Sequence, residues 1–271
     1  MLRRKNRKIV LALGGGAARG IVSIGILKVF EKLYGPGNLP FDMIVGTSMG
    51  SLIGAAYAAG FTIDQLEEKA LKFNWKNLLD PGFHPTGLLK GERLEEMIHE
   101  MVGVTSFEKL NIPFALTTTD INSGQEYIHT SGDLIKLIRA SCSWSGFFSA
   151  VNINGLNLAD GGIRNSIPTK AAKKLGSTFI VAVDPGFSIS SAPIDNALKA
   201  LVQSVQIMGE ELNTYQSALA DVVIKPLLNN VDQFDFDKSA ELIRHGEATA
   251  VGAVDAMDKK IKIHKNFYFL N

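Results

Sequence analysis

An α/β fold, with a mostly parallel sheet covered by helices on both faces, is predicted by three features of this 271-residue sequence. Apolar runs of strand length alternate with segments of helical apolar spacing along the whole chain. Two of the runs, KIVLAL (8–13) and TFIVAV (178–183), are apolar almost without a break, as expected of strands buried on both faces. Glycines stand just after the first two strand runs, where a strand must turn into a helix.

Taken in order, KIVLAL is the first strand, and IVSIGILKVFEKL (21–33) has helical spacing. FDMIV (41–45) is the second strand, and Met49 to Ala59 is a helix of small residues. Thr62 and Gln65 form a capping box for the helix IDQLEEKALKF (63–73). NWKNLLDPGFHPTGLLKG (74–91) reads as a loose connection to the helix ERLEEMIHEMV (92–102). PFALTTTDI (113–121) is a third strand, from which NSGQEYIHT (122–130) returns as a turn and strand. DLIKLIRASCSW (133–144) is helical, and VNINGLNLADGG (151–162) carries an Asn154-Gly155 hairpin turn. IPTKAAKKLG (167–176) is a helix opening near Pro168 and closing at Gly176. TFIVAV is the fourth buried strand, followed by a long helix over APIDNALKALVQSVQIMGEEL (192–212). DVVIKP (221–226) is a short last strand before the terminal helix FDKSAELIRHGEATAVGAVDAMDKKI (236–261). No repeat or linker interrupts this order, and 184–193 reads as a surface loop, so residues 1–271 are expected to form one domain.

Composition narrows the functional classes. With 46% hydrophobic and 20% charged residues, the chain is ordinary globular protein and long enough to bury a sizeable core. A formal net charge of +1 provides no global field for nucleic acid. The short basic run RRKNRK (3–8) is read as a solvated leader. The single cysteine, Cys142, excludes an internal disulfide framework and fits a reducing compartment. The apolar run Ile9–Leu13 is shorter than the roughly 7–15 residues of a signal-peptide core. No stretch reaches the ~20 apolar residues of a membrane span. The expectation is a soluble cytoplasmic protein, with association at a membrane surface left open.

Three motifs carry chemistry. In GTSMG (46–50), Ser48 lies between a strand and a helix, flanked two residues away by Gly46 and Gly50. This is the setting of a nucleophile elbow, where a sharp turn exposes the hydroxyl at a helix N-terminus. A packing turn in the core would use the same glycines. The hydroxyl needs a base. The five histidines, His84, His99, His129, His245 and His264, lie in no recognisable catalytic context, and HEMVG (99–103) lacks the second histidine of a zinc-binding helix. Carboxylates are the other choice, and Asp160 stands before Gly161 and Gly162 at the end of an apolar stretch, where a plain loop is the competing reading. The third motif is LALGGGAARG (11–20), whose Gly14, Gly15 and Gly16 follow the first strand. It does not match a dinucleotide fingerprint G-x-G-x-x-G, which ends on Arg19 if begun at Gly14 and meets Ala17 if begun at Gly15, nor a phosphate loop, since Gly20 is followed by Ile21 rather than lysine. An oxyanion hole of backbone N–H groups remains. No metal cluster or cofactor motif is visible.

GGGAARG, GTSMG and DGG, in that order, resemble the patatin-like phospholipase family, and GLLKGERLEEMI, IRASCS and FDFDKSAELIRHG extend the likeness over nearly the whole chain. The resemblance implies a three-layer α/β/α fold and a Ser–Asp dyad without a catalytic histidine. It makes Ser48 the nucleophile, Asp160 the base, and the N–H groups of Gly15 and Gly16 the oxyanion donors. It implies hydrolysis of lipid acyl esters, as a phospholipase A, lysophospholipase or esterase. An acyltransferase on the same site, a Ser–His–Asp hydrolase and a regulatory lipid-binding module are the alternatives. The sequence departs from the family pattern at Ala17, often glycine, at Ser23, often histidine, and at Ser145 and Ala150, often proline. Arg19 either steers anionic lipid, braces the loop or makes a structural salt bridge. Trp144, Phe147 and Phe148 line an acyl channel, touch a membrane or pack in the core.

Overall fold

A computed structural model describes residues 7–84, 86–187, 189, 194–229 and 231–270. In chain order its strands are β1 (Ile9–Leu13), β2 (Met43–Gly46), β3 (Pro81–His84), β4 (Gly87–Leu89), β5 (Phe114–Asp120), β6 (Glu126–His129), β7 (Gly146–Phe148), β8 (Val151–Ile153), β9 (Leu156–Asp160), β10 (Phe179–Val183) and β11 (Val222–Ile224). The helices are α1 (Val22–Tyr34), α2 (Met49–Ala58), α3 (Ile63–Lys72), α4 (Glu92–Val102), α5 (Leu134–Ser141), α6 (Gly162–Asn165), α7 (Thr169–Lys174), α8 (Ala197–Ser217) and α9 (Ser239–Leu270).

The main sheet runs β11-β10-β1-β2-β5-β9-β8. From β11 to β5 every pairing is parallel, and β6, β9 and β8 close it with antiparallel pairings. Alternation along β1 shows why the strand is apolar throughout. Ile9, Leu11 and Leu13 pack into the larger core with α1, α2 and α9, while Val10 and Ala12 pack on the other face against Ala171 and Ala172 of α7. The sheet is therefore the middle of three layers.

Several elements differ from expectation. The connection 74–91 holds β3 and β4, which join β7 in a separate three-stranded sheet. The helix expected over 133–144 stops at Ser141, and Trp144 lies in the turn before β7. The helix expected from 192 begins at Ala197, capped by Asn196, whose side chain accepts from the Lys199 N–H at 2.9 Å. Residues 3–6 of the basic run, and Ser188 and 190–193 of the expected surface loop, lie outside the described residues. The Thr62–Gln65 capping box forms with both reciprocal bonds. Asn154 and Gly155 both take positive φ, as their hairpin turn requires.

α1 and α9 cross backbone to backbone. A Cβ on Gly25 would lie 2.0 Å from the Ile243 carbonyl oxygen, and one on Gly246 would lie 2.1 Å from that of Val22. Gly25→Ala or Gly246→Ala is expected to lower stability by about 3 kcal/mol, because the obstacle is backbone and cannot rotate away. Urea unfolding measures this, and an unchanged midpoint would mean that the helices do not touch there.

The arrangement around β5 positions the site. Leu116 pairs with Gly46 of β2 on one side and with His129 of β6 on the other. Thr118 pairs with Asp160 of β9, which occupies the same edge as β2. Since β2 is parallel to β5 and β9 antiparallel, their C-terminal ends point at each other with only Thr117 between their partners.

Candidate active site

β2 ends at Gly46, Thr47 follows, and α2 begins at Met49. Between them Ser48 has φ 52° and ψ −125°, a conformation that strains any residue with a side chain. The flanking glycines let the turn close. A Cβ on Gly50 would lie 2.2 Å from the Leu13 carbonyl oxygen, and one on Gly46 would lie 2.5 Å from the Ser51 Cα. The turn is fixed by the Ser48 N–H donating to Ser141 Oγ at 2.9 Å and by Thr47 Oγ1 donating to the Asn165 carbonyl at 2.9 Å. Thr47 is fully buried, while Ser48 and Met49 reach the surface in part. The glycines thus serve close packing, and what that packing leaves accessible is the serine.

Ser48 Oγ donates to Asp160 Oδ2 at 2.8 Å. The Gly162 N–H donates to the other carboxylate oxygen at 2.7 Å, and the Asp160 N–H donates to the Ser143 carbonyl at 3.0 Å. A side chain on Gly161 would strike Thr117 Oγ1 at 2.3 Å, and one on Gly162 would approach Asp160 Oδ1 at 2.9 Å. Both glycines are therefore required for the aspartate to be held this way. Asp160 is 7% exposed. Burial pushes its carboxyl up to about 6, against the opposing pull of the Gly162 N–H and the Ser48 hydroxyl.

Histidines lie elsewhere. His129 Nε2 is 2.7 Å from Thr118 Oγ1, and burial lowers its imidazole to about 4. His264 bonds Thr178, His245 faces Glu241 on α9, and His99 is exposed on α4. The side chain of His84 lies outside the described residues.

The glycine loop lies against the elbow, and a Cβ on Gly15 would sit 3.0 Å from that of Ser48. Its free donors are shifted by one residue from the expected pair. The Gly14 N–H donates to the Val183 carbonyl at 3.0 Å and the Gly15 N–H to the Ser166 carbonyl at 2.8 Å, so Gly15 has no N–H to offer. The N–H groups of Gly16 and Ala17 have no acceptor among the described residues, and both residues are partly exposed. Ala17 holds φ 48°, which a glycine would adopt without strain.

Arg19 is a brace. It is buried, and its guanidinium donates to the carbonyls of Pro185, Gly186, Leu228 and Val231 at 2.7–3.1 Å. Desolvation lowers it from the usual guanidinium range, and Glu210, Asp184 and Asp232 pull it back. A second buried arginine, Arg139, escaped the sequence reading. It donates to the carbonyls of Lys90, Gly91 and Ser149 and to Ser143 Oγ, tying the small sheet to the residue whose carbonyl holds Asp160. Its one sequence signal is its place in IRASCS.

The aromatic residues divide. Phe148 packs against the core, whereas Trp144 and Phe147 stack at 4.7 Å and meet Phe234 at 5.3 and 5.6 Å. At the departures from the family pattern, the Ala150 N–H donates to Thr86 Oγ1 at 3.1 Å, a bond that proline would forbid, and Ser145 is exposed. Ser23 is buried, its hydroxyl unpartnered among the described residues. Burial pushes the Cys142 thiol up to about 12, which suits an inert side chain. A groove of about 680 Å³ between α3 and α4, lined by Phe61, Lys69, Phe73, Met97 and Met101 among others, contains none of the site residues. Among the described residues there is no group of side chains arranged to hold a metal.

The model of the patatin-like phospholipase family matches residues 11–173, a span that includes the glycine loop, the elbow and Asp160. The chain belongs to the patatin-like phospholipase family. Among named relatives of this patatin-like chain, the lysophospholipase NTE1 of Scheffersomyces stipitis is 33% identical over 196 residues, 70% of this chain and 12% of the relative. Neuropathy target esterase sws of Drosophila melanogaster is 36% identical over 186 residues, 66% of this chain and 13% of the relative. The chain thus spans about an eighth of the length of these relatives. VipD of Legionella pneumophila shares the fold with a TM-score of 0.60 at 13% identity, over 93% of this chain and 67% of that one. The type III effector ExoU matches with a TM-score of 0.50 at 14% identity, over 92% of this chain and 53% of that one. No helix among the described residues is long and apolar enough to cross a membrane.

Proposed function

We propose that this patatin-like chain is a lipid acyl-ester hydrolase working through Ser48 and Asp160. The observation that carries the reading is the 2.8 Å bond from Ser48 Oγ to a buried carboxylate whose affinity for protons is raised. A carboxylate near its ordinary value is a poor base at neutral pH, and desolvation makes this one better matched to the task. Ser48 Oγ attacks the ester carbonyl carbon as Asp160 takes its proton. The N–H groups of Gly16 and Ala17 receive the developing oxyanion, a contribution of roughly 2.7–4 kcal/mol for one good donor. The protonated Asp160 then gives its proton to the departing alcohol, and a water activated by the same carboxylate releases the acyl group. Trp144, Phe147 and Phe234 supply an apolar surface beside the segment that holds Asp160, suited to an acyl chain. The lysophospholipase and esterase names of the relatives support a lipid ester as substrate.

The test is labelling with a fluorophosphonate ester probe, with the adduct mapped to Ser48 and absent from Ser48→Ala. Turnover gives a second check. Asp160 accepts a proton only when ionised, so kcat/KM for a soluble ester should fall tenfold per unit as the pH drops below about 6 and level off above it. A profile without this acid limb would remove Asp160 from the role of base. Product analysis with an added alcohol acceptor separates hydrolysis from acyl transfer.

A further inference from the structure

The stretch IRASCS closes α5, and its two serines each reach one member of the Ser48–Asp160 pair. Ser141 Oγ accepts the Ser48 N–H at 2.9 Å, and the Ser143 carbonyl accepts the Asp160 N–H at 3.0 Å. Ser48 and Asp160 are 112 positions apart in the chain, yet one short segment grips the main chain of both. Arg139 anchors that segment, donating to Ser143 Oγ and to the Ser149 carbonyl. Ser141 is fully buried, so it acts on the site only through Ser48. It holds the Ser48 N–H and leaves the Ser48 hydroxyl to Asp160.

That bond acts on the torsion that makes the elbow unusual. The φ of Ser48, 52°, is set by how the Thr47–Ser48 peptide is turned relative to the Ser48 carbonyl. The carbonyl is fixed by α2, because it accepts from the N–H groups of Ser51 and Leu52 and from Ser51 Oγ at 2.6–3.1 Å. The preceding peptide is held at its oxygen by the Gly50 N–H, at 2.9 Å. At its nitrogen, Ser141 is the acceptor among the described residues. A residue with a side chain keeps such a conformation only where its surroundings over-determine it, and the strain is of the size that one hydrogen bond contributes. Without the Ser141 acceptor, the peptide turns, φ relaxes to negative values, and the Cβ carries Oγ away from Asp160.

We propose that Ser141 is the positioning residue of the elbow, its hydroxyl holding Ser48 in the strained conformation that delivers Oγ to Asp160. The inference rests on the reading of Ser48 as nucleophile and adds the group that keeps it aimed.

Ser141→Ala and Ser141→Thr test it together. In Ser141→Ala, relief of strain offsets the lost bond, so the thermal midpoint should stay close to that of the parent. Its kcat for a soluble ester should nevertheless fall roughly ten- to a hundredfold, with KM unchanged and the rate of fluorophosphonate labelling reduced by the same factor. The acid limb should also move to higher pH, because the Ser48 hydroxyl no longer lowers the Asp160 carboxyl in most molecules. Ser141→Thr keeps the acceptor and adds a methyl to a filled space, so it should unfold earlier yet keep kcat within about threefold of the parent. A folded Ser141→Ala with the kcat of the parent overturns the proposal, as does an equal loss in both variants. A parent that takes no label on Ser48 counts against the hydrolase reading instead. A crystal structure of Ser141→Ala reads the inference without turnover: Ser48 Oγ should lie beyond hydrogen-bond reach of Asp160, and an unchanged distance of 2.8 Å overturns the proposal.

Discussion

Ser48→Ala is expected to lower turnover of a soluble aryl ester by about four orders of magnitude or more, and Asp160→Asn to fall nearly as far while becoming harder to unfold at neutral pH. The first loss follows from removing the atom that bonds the acyl group in the proposed mechanism. The second follows because asparagine can still accept from the Gly162 N–H but takes no proton from Ser48 Oγ. The two variants act on one unit, so the double variant should lose little beyond Ser48→Ala.

The gain in stability has the opposite origin. Folding raises the Asp160 carboxyl from 3.8 to about 6, so the folded chain binds the proton more tightly than the unfolded one. Above about pH 6 the native state carries a buried charge it disfavours, a cost on the order of 3 kcal/mol. Below about pH 4 the group is protonated in both states and the cost is gone. Asp160→Asn removes it, so the variant should exceed the parent in urea at pH 7.5, and the difference should shrink as the pH falls from about 6 to about 4. A variant weaker than the parent at pH 7.5 would mean that the carboxylate is well accommodated, and the raised value would be wrong.

The second large effect is expected at Arg19. Arg19→Met should lower stability by about 3–5 kcal/mol and kcat by about two orders of magnitude, even for a neutral ester. The side chain joins the glycine loop to the segments after β10 and β11, and its loss leaves four carbonyls without their donor. Arg19→Lys should not restore activity, because one ammonium cannot reach carbonyls on both sides of the guanidinium. Thermal unfolding and kcat on a neutral ester check both parts. A stable variant impaired only towards anionic lipid would return Arg19 to a steering role.

The parts of the site that were legible in the sequence are those written within a few adjacent residues. Gly46, Ser48 and Gly50 define a turn whose atoms collide with anything larger, and Asp160-Gly161-Gly162 is equally local. Strands such as β1 were legible because burial on both faces forces an unbroken apolar run. What was not legible depends on distant partners. The Gly15 N–H is not free because the Ser166 carbonyl, 151 positions further along, already takes it. β3, β4 and β7 are too short for a period, and only their mutual pairing makes them strands. Arg19 looks the same in sequence whether it grips four carbonyls or faces a lipid.

The shared edge of β5 has a consequence for how such a site can change. Ser48 and Asp160 approach along one rail from opposite directions, so the gap between them is counted in peptide units of β5 rather than set by the loops that connect them. Those loops can lengthen freely without moving either group. An insertion within 116–118 would part Ser48 and Asp160 by about 3.3 Å in a single jump, and a register slip would also turn Asp160 to the opposite face. The distance from Ser48 to Asp160 is thus digital: it admits one value or a broken contact, while everything around it can drift.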